Sequence, residues 1–272
     1  MNLEAYLGRI EYPGTPRADL ETLRRLHNLH ARAIPFENLS PFLGEPVKLD
    51  LASLEDKLVA RRRGGWCFEQ NLFFTHALRA LGFEVKTLAA RVRWNVPAGV
   101  TTARSHMLML VTIDAVRYIA DVGFGGLTLS APLKLEAHVE QATPHEPHRL
   151  VPAGEAFVLE AKVAGEWQAL YVFDLHEQLQ ADYEVANWYL ANFPQSQFVT
   201  GILAARADTD VRHVLRNTRY AVHHGNGHTE RRHLASVAEL RSVLEGPLRI
   251  PLPGYPDLDA RLQKVIDGNP PA

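Results

Sequence analysis

The chain is poor in cysteine: its 272 residues include one, Cys67. A single thiol excludes an intramolecular disulfide and any zinc or iron–sulfur site built from several cysteines. A free thiol is best preserved in a reducing compartment, so the sequence predicts a cytoplasmic protein. Cys67 is therefore the residue around which the remaining chemistry is sought.

Strong charge of one sign and long apolar runs are absent as well. The 29 basic residues nearly balance the 31 acidic ones, so the chain has no overall field that favours nucleic acid or an anionic membrane. No run approaches the roughly eighteen apolar residues of a membrane helix, and the first residues lack the apolar region of a signal peptide. We expect a soluble intracellular protein without nucleic-acid or membrane partners.

The first third of the chain has leucines at helical spacing, and a hydrophobic content of 46% is enough for a substantial core. Start and stop signals there predict helices at residues 15–34, from residue 50, and at residues 67–81. This part of the chain therefore predicts a helical bundle.

Beyond residue 82 the pattern changes to that of strands. Runs rich in β-branched residues predict strands at 85–92, 106–113, 116–122, 156–163 and 167–173. The short connections between them predict an antiparallel sheet or a small barrel. The stretch 142–154, rich in proline and histidine, is predicted to be a loop.

The last third mixes both patterns. It predicts helices at 183–193, after Ser236 and at 257–266, with a hairpin turn at Gly225-Asn226-Gly227. The fold class expected for the whole chain is α+β.

Cys67 directly follows a Gly64-Gly65 turn and begins the third predicted helix. The positive end of the helix dipole and the unpaired N–H groups there favour the thiolate, which is the nucleophilic form of cysteine. Arginines precede the cysteine at 61–63, and polar residues follow it at 69–71. The alternative is a buried cysteine that packs as a small hydrophobe, but that role needs none of these neighbours.

A cysteine nucleophile needs a base, and the base needs an acceptor that fixes its orientation. Among thirteen histidines, His106 is the best placed because it begins a predicted strand after a polar stretch. Asp121 closes the next predicted strand, and antiparallel pairing of the two strands would bring both side chains together. A hydrogen-bonded structural histidine is the alternative.

Two further patterns invite a ligand. The turn after Asp121 contains Gly123, Gly125 and Gly126, whose backbone N–H groups would suit an anionic or carbonyl ligand; a simple tight turn is the alternative. Four histidines cluster near the carboxyl terminus, at His223, His224, His228 and His233. A metal site there would need a helix, whereas the glycines between them favour a loop, so we expect solvent-facing histidines and no metal.

The motifs around the three candidate residues resemble those of the arylamine N-acetyltransferases. They are Arg63-Gly64-Gly65-Trp66-Cys67-Phe68-Glu69-Gln70-Asn71, Ser105-His106, Asp121-Val122-Gly123-Phe124-Gly125 and, upstream, Pro35-Phe36-Glu37-Asn38-Leu39. The resemblance covers the first half of the chain, and the total length and the 187–198 stretch fit the bacterial members.

This resemblance implies a ping-pong reaction with acetyl-CoA as the acetyl donor and no metal. Cys67 would take the acetyl group as a thioester, with His106 as base and Asp121 as the partner that orients it. The acceptor would be an arylamine, arylhydrazine or N-hydroxyarylamine. The same resemblance makes Phe36, Phe124 and Phe198 the substrate-binding walls.

It also implies that Gly125 and Gly126 lie along the pantetheine arm of CoA, and that Arg63 braces the loop before Cys67. The implied architecture has a helical bundle at 1–83, a β-barrel at 84–182 and an α/β lid at 183–272, around a catalytic core like that of cysteine proteases and transglutaminases. A monomer or a homodimer is compatible with it.

Other readings keep Cys67, His106 and Asp121 but change the reaction. An amide synthase that closes macrolactams would differ in its acceptor, a hydrolase would use water, and a transglutaminase or thiol protease would acylate Cys67 from a peptide amide. A small-molecule binding protein without catalysis would form no acyl adduct. Dependence on acetyl-CoA and an adduct on Cys67 separate these possibilities.

Overall fold

Helices occupy mainly the first and last thirds of the chain. The computed structural model describes residues 1–97 and 99–268. Its helices are α1 (Leu3–Arg9), α2 (Leu20–Ala33), α3 (Leu39–Phe42), α4 (Leu51–Glu55), α5 (Cys67–Ala80), α6 (Gln180–Asn192), α7 (Gln197–Thr200), α8 (Val237–Glu245) and α9 (Leu258–Ile266). A π-helical turn at Asp56–Ala60 continues α4. Every helix in the described part of the chain is too short or too polar to cross a membrane.

The helix starts follow the capping residues. The prediction for α5 is confirmed, and Gly82 follows it with a φ of 88°. The predicted start of α2 at Thr15 is wrong, because Asp19 accepts a hydrogen bond from the Thr22 N–H at 2.8 Å and caps the helix at Leu20 instead.

Antiparallel strands form a seven-stranded sheet in the middle of the chain. They are β2 (Glu84–Val92), β3 (Arg104–Ile113), β4 (Val116–Ala120), β5 (Leu133–Lys134), β6 (His148–Ala153), β7 (Ala156–Val163) and β8 (Glu166–Phe173). The spatial order is β5-β4-β3-β2-β8-β7-β6. The His138 N–H donates to the Leu150 carbonyl at 2.8 Å, which brings the segment after β5 onto β6 and nearly closes the sheet into a barrel.

The predicted loop at 142–154 is wrong in its second half, which is β6. His148 and Leu150 alternate with less buried neighbours and pair with β7. Pro152 argued against a strand, but β6 ends the sheet order, and an edge position tolerates a proline that cannot donate a hydrogen bond.

A second sheet joins the two ends of the chain. Its strands are β1 (Phe36–Glu37), β9 (Leu203–Ala207), β10 (Val211–Arg216), β11 (Arg219–His224) and β12 (Thr229–His233), in that spatial order. The β11–β12 hairpin turn was predicted, whereas β9 and β10 were not. Phe36 of β1 pairs with Ala205 of β9, so two residues of the first third fix the edge of this sheet.

The mixed helix-and-sheet class is confirmed. The division at 1–83, 84–182 and 183–272 stays a prediction, and residues 269–272 of its last part lie outside the described residues.

A buried set of charges ties β1 to the segment before α5. Arg63 Nη2 lies 2.7 Å from Glu37 Oε1, and Lys57 Nζ lies 2.7 Å from Glu69 Oε1 and 3.9 Å from Glu37 Oε1. Burial alone would raise the pKa of Glu37, but Arg63 and Lys57 lower it below its ordinary value. Glu37 thus stays charged away from water, whereas burial raises the pKa of Glu69 although Lys57 opposes it. The contacts among the four side chains fix the chain on both sides of the Gly64-Gly65 turn.

Three fully buried histidines have no charged partner that would favour protonation strongly enough to overcome burial. Burial lowers the pKa of His27 to about 4, although the charge of Asp121 opposes this shift. Burial also lowers the pKa of His30 to about 3 and that of His148 to about 4. All three are therefore neutral in the folded chain at neutral pH.

We expect the folded chain to lose stability as the pH falls from 7 to 5. When unfolded, these three histidines titrate near 6.5, so over this interval they bind more protons in the unfolded chain than in the folded chain. His106, with a pKa of about 10 in the folded chain, offsets only part of this effect. A buried histidine with a pKa near 4 should cost about 2 kcal/mol at pH 5. Urea denaturation at several pH values measures this effect, and a free energy of unfolding that stays constant would contradict it.

Glu37→Gln should lower the free energy of unfolding by about 3–5 kcal/mol, because it leaves two buried cations with one carboxylate. Glu45→Gln is the matched control, since Glu45 is a partly exposed carboxylate 3.8 Å from the same Arg63. The control should change stability by less than about 1 kcal/mol. Denaturant unfolding measures both variants. Equal losses of unfolding free energy would show that the buried network contributes no more to stability than the contact with Glu45.

Candidate active site

Cys67 is the first residue of α5 and lies at the end of a tightly packed turn. The Gly65 N–H donates to the Pro35 carbonyl at 3.2 Å. A Cβ at Gly64 would lie 2.1 Å from the Pro35 oxygen, so no larger residue fits there. Glu69 Oε2 accepts from the Trp66 N–H at 3.1 Å and caps the helix, whose next N–H groups have no partner within the helix.

His106 and Asp121 are brought together as the strand pattern predicted. β3 and β4 pair antiparallel, and His106 Nε2 lies 2.7 Å from Asp121 Oδ2. Cys67 interacts with the His106 ring, and its Sγ lies 3.7 Å from the Ser105 carbonyl oxygen. Since Nε2 faces Asp121, the other ring nitrogen is the one available to the sulfur. All three side chains are buried.

Electrostatics favour the charged form of His106. Burial alone would lower its pKa, but the Asp121 carboxylate and the hydrogen bonds to Asp121 and Cys67 raise the pKa to about 10. Burial alone would raise the pKa of Asp121, yet His106, Asn71 and the Gly123 N–H lower it. An imidazolium between a carboxylate and a sulfur is therefore the stable arrangement at neutral pH.

Asn71 connects the helix to both strands, a role that the sequence analysis missed. Its Nδ2 donates to the Met107 carbonyl at 2.7 Å and to Asp121 Oδ1 at 2.9 Å. Its Oδ1 accepts from the Val122 N–H at 2.9 Å. Asn71 lies one helical turn after Cys67, and this i, i+4 spacing is the signal that places both residues on one face.

Gly123 and His27 complete the packing around the site, and sequence reasoning missed His27. A Cβ at Gly123 would lie 2.8 Å from Cys67 Cα, so this glycine allows the turn to press against the cysteine backbone. The Asp121 N–H donates to His27 Nε2 at 3.1 Å, which requires a neutral His27. His27 belongs to α2, far away in sequence, and no local sequence pattern predicts its contact with Asp121.

The aromatic residues implied by the resemblance lie around the same region. The ring centroids of Phe36 and Phe198 are 6.4 Å apart, and Phe198 lies edge-on to Trp66 at 5.0 Å. Phe124 lies edge-on to His106 at 5.1 Å. Gly125 packs on the Phe36 ring, since a Cβ there would lie 3.6 Å from it.

Two backbone N–H groups of the glycine-rich turn already donate hydrogen bonds to nearby side chains. The Gly123 N–H donates to Asp121 Oδ1 at 2.9 Å, and the Gly125 N–H donates to Thr128 Oγ1 at 2.7 Å. These two N–H groups are therefore committed to holding the turn, contrary to the expectation that they face a ligand.

The carboxyl-terminal histidines belong to the β11–β12 hairpin rather than to a helix. His223 contacts Thr229 at 3.0 Å, and His224 lies 2.7 Å from Glu230. His233 contacts Thr218 at 3.0 Å. Within residues 1–97 and 99–268, no group of three or more histidine, cysteine, aspartate or glutamate side chains is arranged to hold a metal ion.

A sulfur nucleophile, a protonated imidazole and a buried carboxylate in this order suit acyl transfer through a thioester. The first turn of α5 adds backbone N–H donors beside the sulfur, where a tetrahedral intermediate would develop negative charge.

The comparisons with known proteins cover nearly the whole chain. A family profile described as N-acetyltransferase matches residues 19–255. An arylamine N-acetyltransferase of Mycolicibacterium smegmatis is 42% identical over 98% of this chain and 99% of that protein. An arylamine N-acetyltransferase / N-hydroxyarylamine O-acetyltransferase of Salmonella typhimurium is 40% identical over 89% of this chain and 86% of that protein.

Solved structures of similar proteins have the same fold as this chain. The structure of a C70Q Mycobacterium smegmatis arylamine acetyltransferase has a TM-score of 0.94 at 42% identity and covers 98% of this chain and 100% of its own. The Mycobacterium marinum arylamine N-acetyltransferase in complex with CoA has a TM-score of 0.92 at 40% identity, with 99% and 100% coverage. From the sequence match, the fold and the geometry together, the chain belongs to the arylamine N-acetyltransferase family.

Proposed function

We propose that this chain transfers an acetyl group from acetyl-CoA to an arylamine, an arylhydrazine or an N-hydroxyarylamine, through a thioester on Cys67. The observation that carries the proposal is the buried arrangement of Cys67, His106 and Asp121 at the start of α5. Its relatives' names supply the substrate class.

In the first half-reaction the Cys67 thiolate attacks the thioester carbonyl of acetyl-CoA. The tetrahedral oxyanion is stabilised by backbone N–H groups of the first turn of α5, including those of Cys67 and Phe68. The intermediate collapses by breaking the carbon–sulfur bond to CoA. The departing CoA sulfur takes the proton of the His106 imidazolium, which leaves a neutral histidine and an acetylated Cys67.

In the second half-reaction the acceptor attacks the acetyl carbon on Cys67. Neutral His106 takes the proton that the attacking amine, hydrazine or hydroxyl group loses, and the bond from the acetyl carbon to the Cys67 sulfur breaks. The products are the acetylated acceptor and the original thiolate–imidazolium pair. Asp121 holds the imidazole in one orientation throughout, and Asn71 holds Asp121.

The acceptor ring is proposed to lie against Phe36, Phe124 and Phe198, because these apolar rings surround the region beside Cys67 and His106. An aromatic amine is weakly basic, so it enters such a site neutral and nucleophilic. We place the pantetheine arm along Gly125 and Gly126, as the motif shared with the family implies. Acetyl-CoA is a cosubstrate in this scheme and not a resident cofactor.

The finer architectural assignments belong to the same proposal. The packing of α5 against β3 supports a catalytic core of the kind found in cysteine proteases and transglutaminases. A cytoplasmic location is supported by the free thiol. A monomer or a homodimer is compatible with the reaction because all proposed catalytic residues come from one chain.

We expect brief incubation with acetyl-CoA alone to add one acetyl group to the protein, and an aromatic hydrazine to remove it with formation of the acetylated hydrazine. Intact-protein mass spectrometry measures both steps. Cys67→Ser is the control and should form no thioester. Absence of an adduct in the wild type, with hydrolysis of acetyl-CoA also excluded, would disprove the proposal.

Alkylation of Cys67 by iodoacetamide should remain fast from pH 8 down to pH 6, because the His106 imidazolium beside the sulfur persists across this range. Asp121→Asn should slow alkylation at pH 6 by about tenfold or more, since the carboxylate no longer raises the His106 pKa. The matched control is Asp114→Asn in the exposed β3–β4 turn, which should alkylate like the wild type. A wild-type rate that falls tenfold per pH unit would contradict the ion pair.

A further inference from the structure

A cavity of about 600 Å³ lies between the amino-terminal helices and the carboxyl-terminal part of the chain, and it is separate from the residues of the proposed active site. Its walls come from α1, α2, the segment after the π-helical turn, the end of β9, the end of α8 and the segment that follows α8. Five of the lining residues are arginines: Arg9, Arg32, Arg62, Arg206 and Arg249. Nothing in the acyl-transfer scheme uses this cavity.

The acidic residues of the cavity do not balance these cations. They are Glu11, Asp208 and Glu245. Asp208 is already paired with Arg206 and lies 3.7 Å from Arg32. Glu245 lies 3.7 Å from Arg241, which is not a lining residue.

The arginines fall into two groups. Arg9 and Arg206 are buried and donate to backbone carbonyls, from Arg9 Nε to Leu58 at 2.9 Å and from Arg206 Nε to Pro247 at 2.7 Å. A purely structural role accounts for these two. It does not account for Arg62 and Arg249, which are exposed and whose side chains, among the described residues, form no ion pair within 4 Å and no hydrogen bond.

The backbone at those two positions is also unusual. Arg62 and Arg249 both have a φ of 52°, in the left-handed region that favours glycine. Arg62 follows the π-helical turn, at a position where helices commonly end in glycine. The chain has arginine at both positions and so places two uncompensated guanidinium groups on one cavity.

A buried donor adds to this surplus. Arg32 Nη2 donates to Thr209 at 2.8 Å, but its Nε is buried without a partner among the described residues. Burial and the charges of Arg62 and Arg249 together lower the pKa of Arg9 to about 10, although Glu11 opposes this shift. The cations therefore repel one another, and a bound anion would relieve that repulsion.

We propose that this cavity binds a small molecule with several oxyanion groups, of the phosphate or carboxylate type. Guanidinium groups pair with such groups through two parallel hydrogen bonds, and Arg32, Arg62 and Arg249 retain donors for them. The volume lies within the range of about 300–1,000 Å³ typical of small-molecule sites, so it suits a phosphorylated or polycarboxylate metabolite rather than a lone simple ion. Binding here is independent of the acyl-transfer reaction.

Isothermal titration calorimetry with pyrophosphate and with citrate, at matched ionic strength, tests the proposal on the full chain. Saturable binding of one anion per chain is expected, accompanied by a rise in melting temperature. Tighter binding of pyrophosphate would indicate a phosphate ligand, and tighter binding of citrate a polycarboxylate. No binding of either beyond that of chloride would overturn the proposal.

The double variant Arg62→Gln/Arg249→Gln should raise the dissociation constant by about tenfold or more, since it removes two charge-assisted contacts. Arg24→Gln/Arg216→Gln is the matched control: it makes the same charge change at two exposed arginines outside the cavity and should alter binding by less than about twofold. Equal weakening of anion binding in both double variants would show that overall charge alone accounts for the effect, and it would overturn the proposed site.

A variant that keeps both charges distinguishes a loss of binding from a folding defect. Arg62→Lys/Arg249→Lys retains both cations but removes the guanidinium fork, so it should keep the melting temperature in buffer and still bind less tightly than the wild type. Undiminished binding in this variant would contradict paired guanidinium recognition. Because the readout is binding, a failure here leaves the acyl-transfer proposal untouched, and the reverse also holds.

Discussion

The arrangement around Cys67 depends on one carboxylate that stays charged without any contact with water. Asp121 is completely buried, and such a charge is costly unless its oxygens are fully paired. His106, Asn71 and the Gly123 N–H supply those partners. They belong to β3, to α5 and to the turn after β4, so the carboxylate can be paired only where these elements meet closely. The absence of a side chain at Gly123 and the position of Cys67 follow from that requirement.

A second buried set of charges performs a similar task one step earlier in the chain. Glu37, Lys57, Arg63 and Glu69 contact one another, and they hold the turn before Cys67 against β1. β1 is itself an edge strand of the carboxyl-terminal sheet. The same two residues, Phe36 and Glu37, therefore fix both the cysteine-bearing loop and the start of the second sheet. A change in this network therefore affects both the position of Cys67 and the edge of the carboxyl-terminal sheet.

The parts of the site that the sequence predicted are those governed by local rules. Cys67 was found because a glycine turn and a helix start are short-range signals. His106 and Asp121 were found because a two-residue connection forces β3 and β4 to pair, which brings the two side chains together. The start of α2 was misplaced because two capping signals competed, and the hydrogen bond to Asp19 decides between them only in the folded chain.

The parts that the sequence could not supply depend on distant partners. His27 supports Asp121 from α2, and no spacing rule relates positions so far apart. β1 has two residues, too few for any periodicity, and it is recognisable as a strand only from its pairing with β9. Asn71 is the intermediate case: its helical spacing from Cys67 was visible, but its three hydrogen bonds required the strands to be in place.

The positions of the three rings proposed to contact the acceptor also depend on residues that are distant in the sequence. Phe36 lies on β1, Phe124 in the turn after β4, and Phe198 on α7, so the three rings meet only through tertiary packing. The Phe198 carbonyl accepts from Asn38 Nδ2 at 2.8 Å, and Asn38 also holds Gly201 and Leu203. The buried Asn38, adjacent to Glu37, thus positions a wall that it does not form. On the proposed mechanism the chemistry resides in a compact set of charges, whereas acceptor choice depends on how separate segments pack. Relatives that share the cysteine, histidine and aspartate motifs can therefore differ in acceptor without any change in the reacting residues.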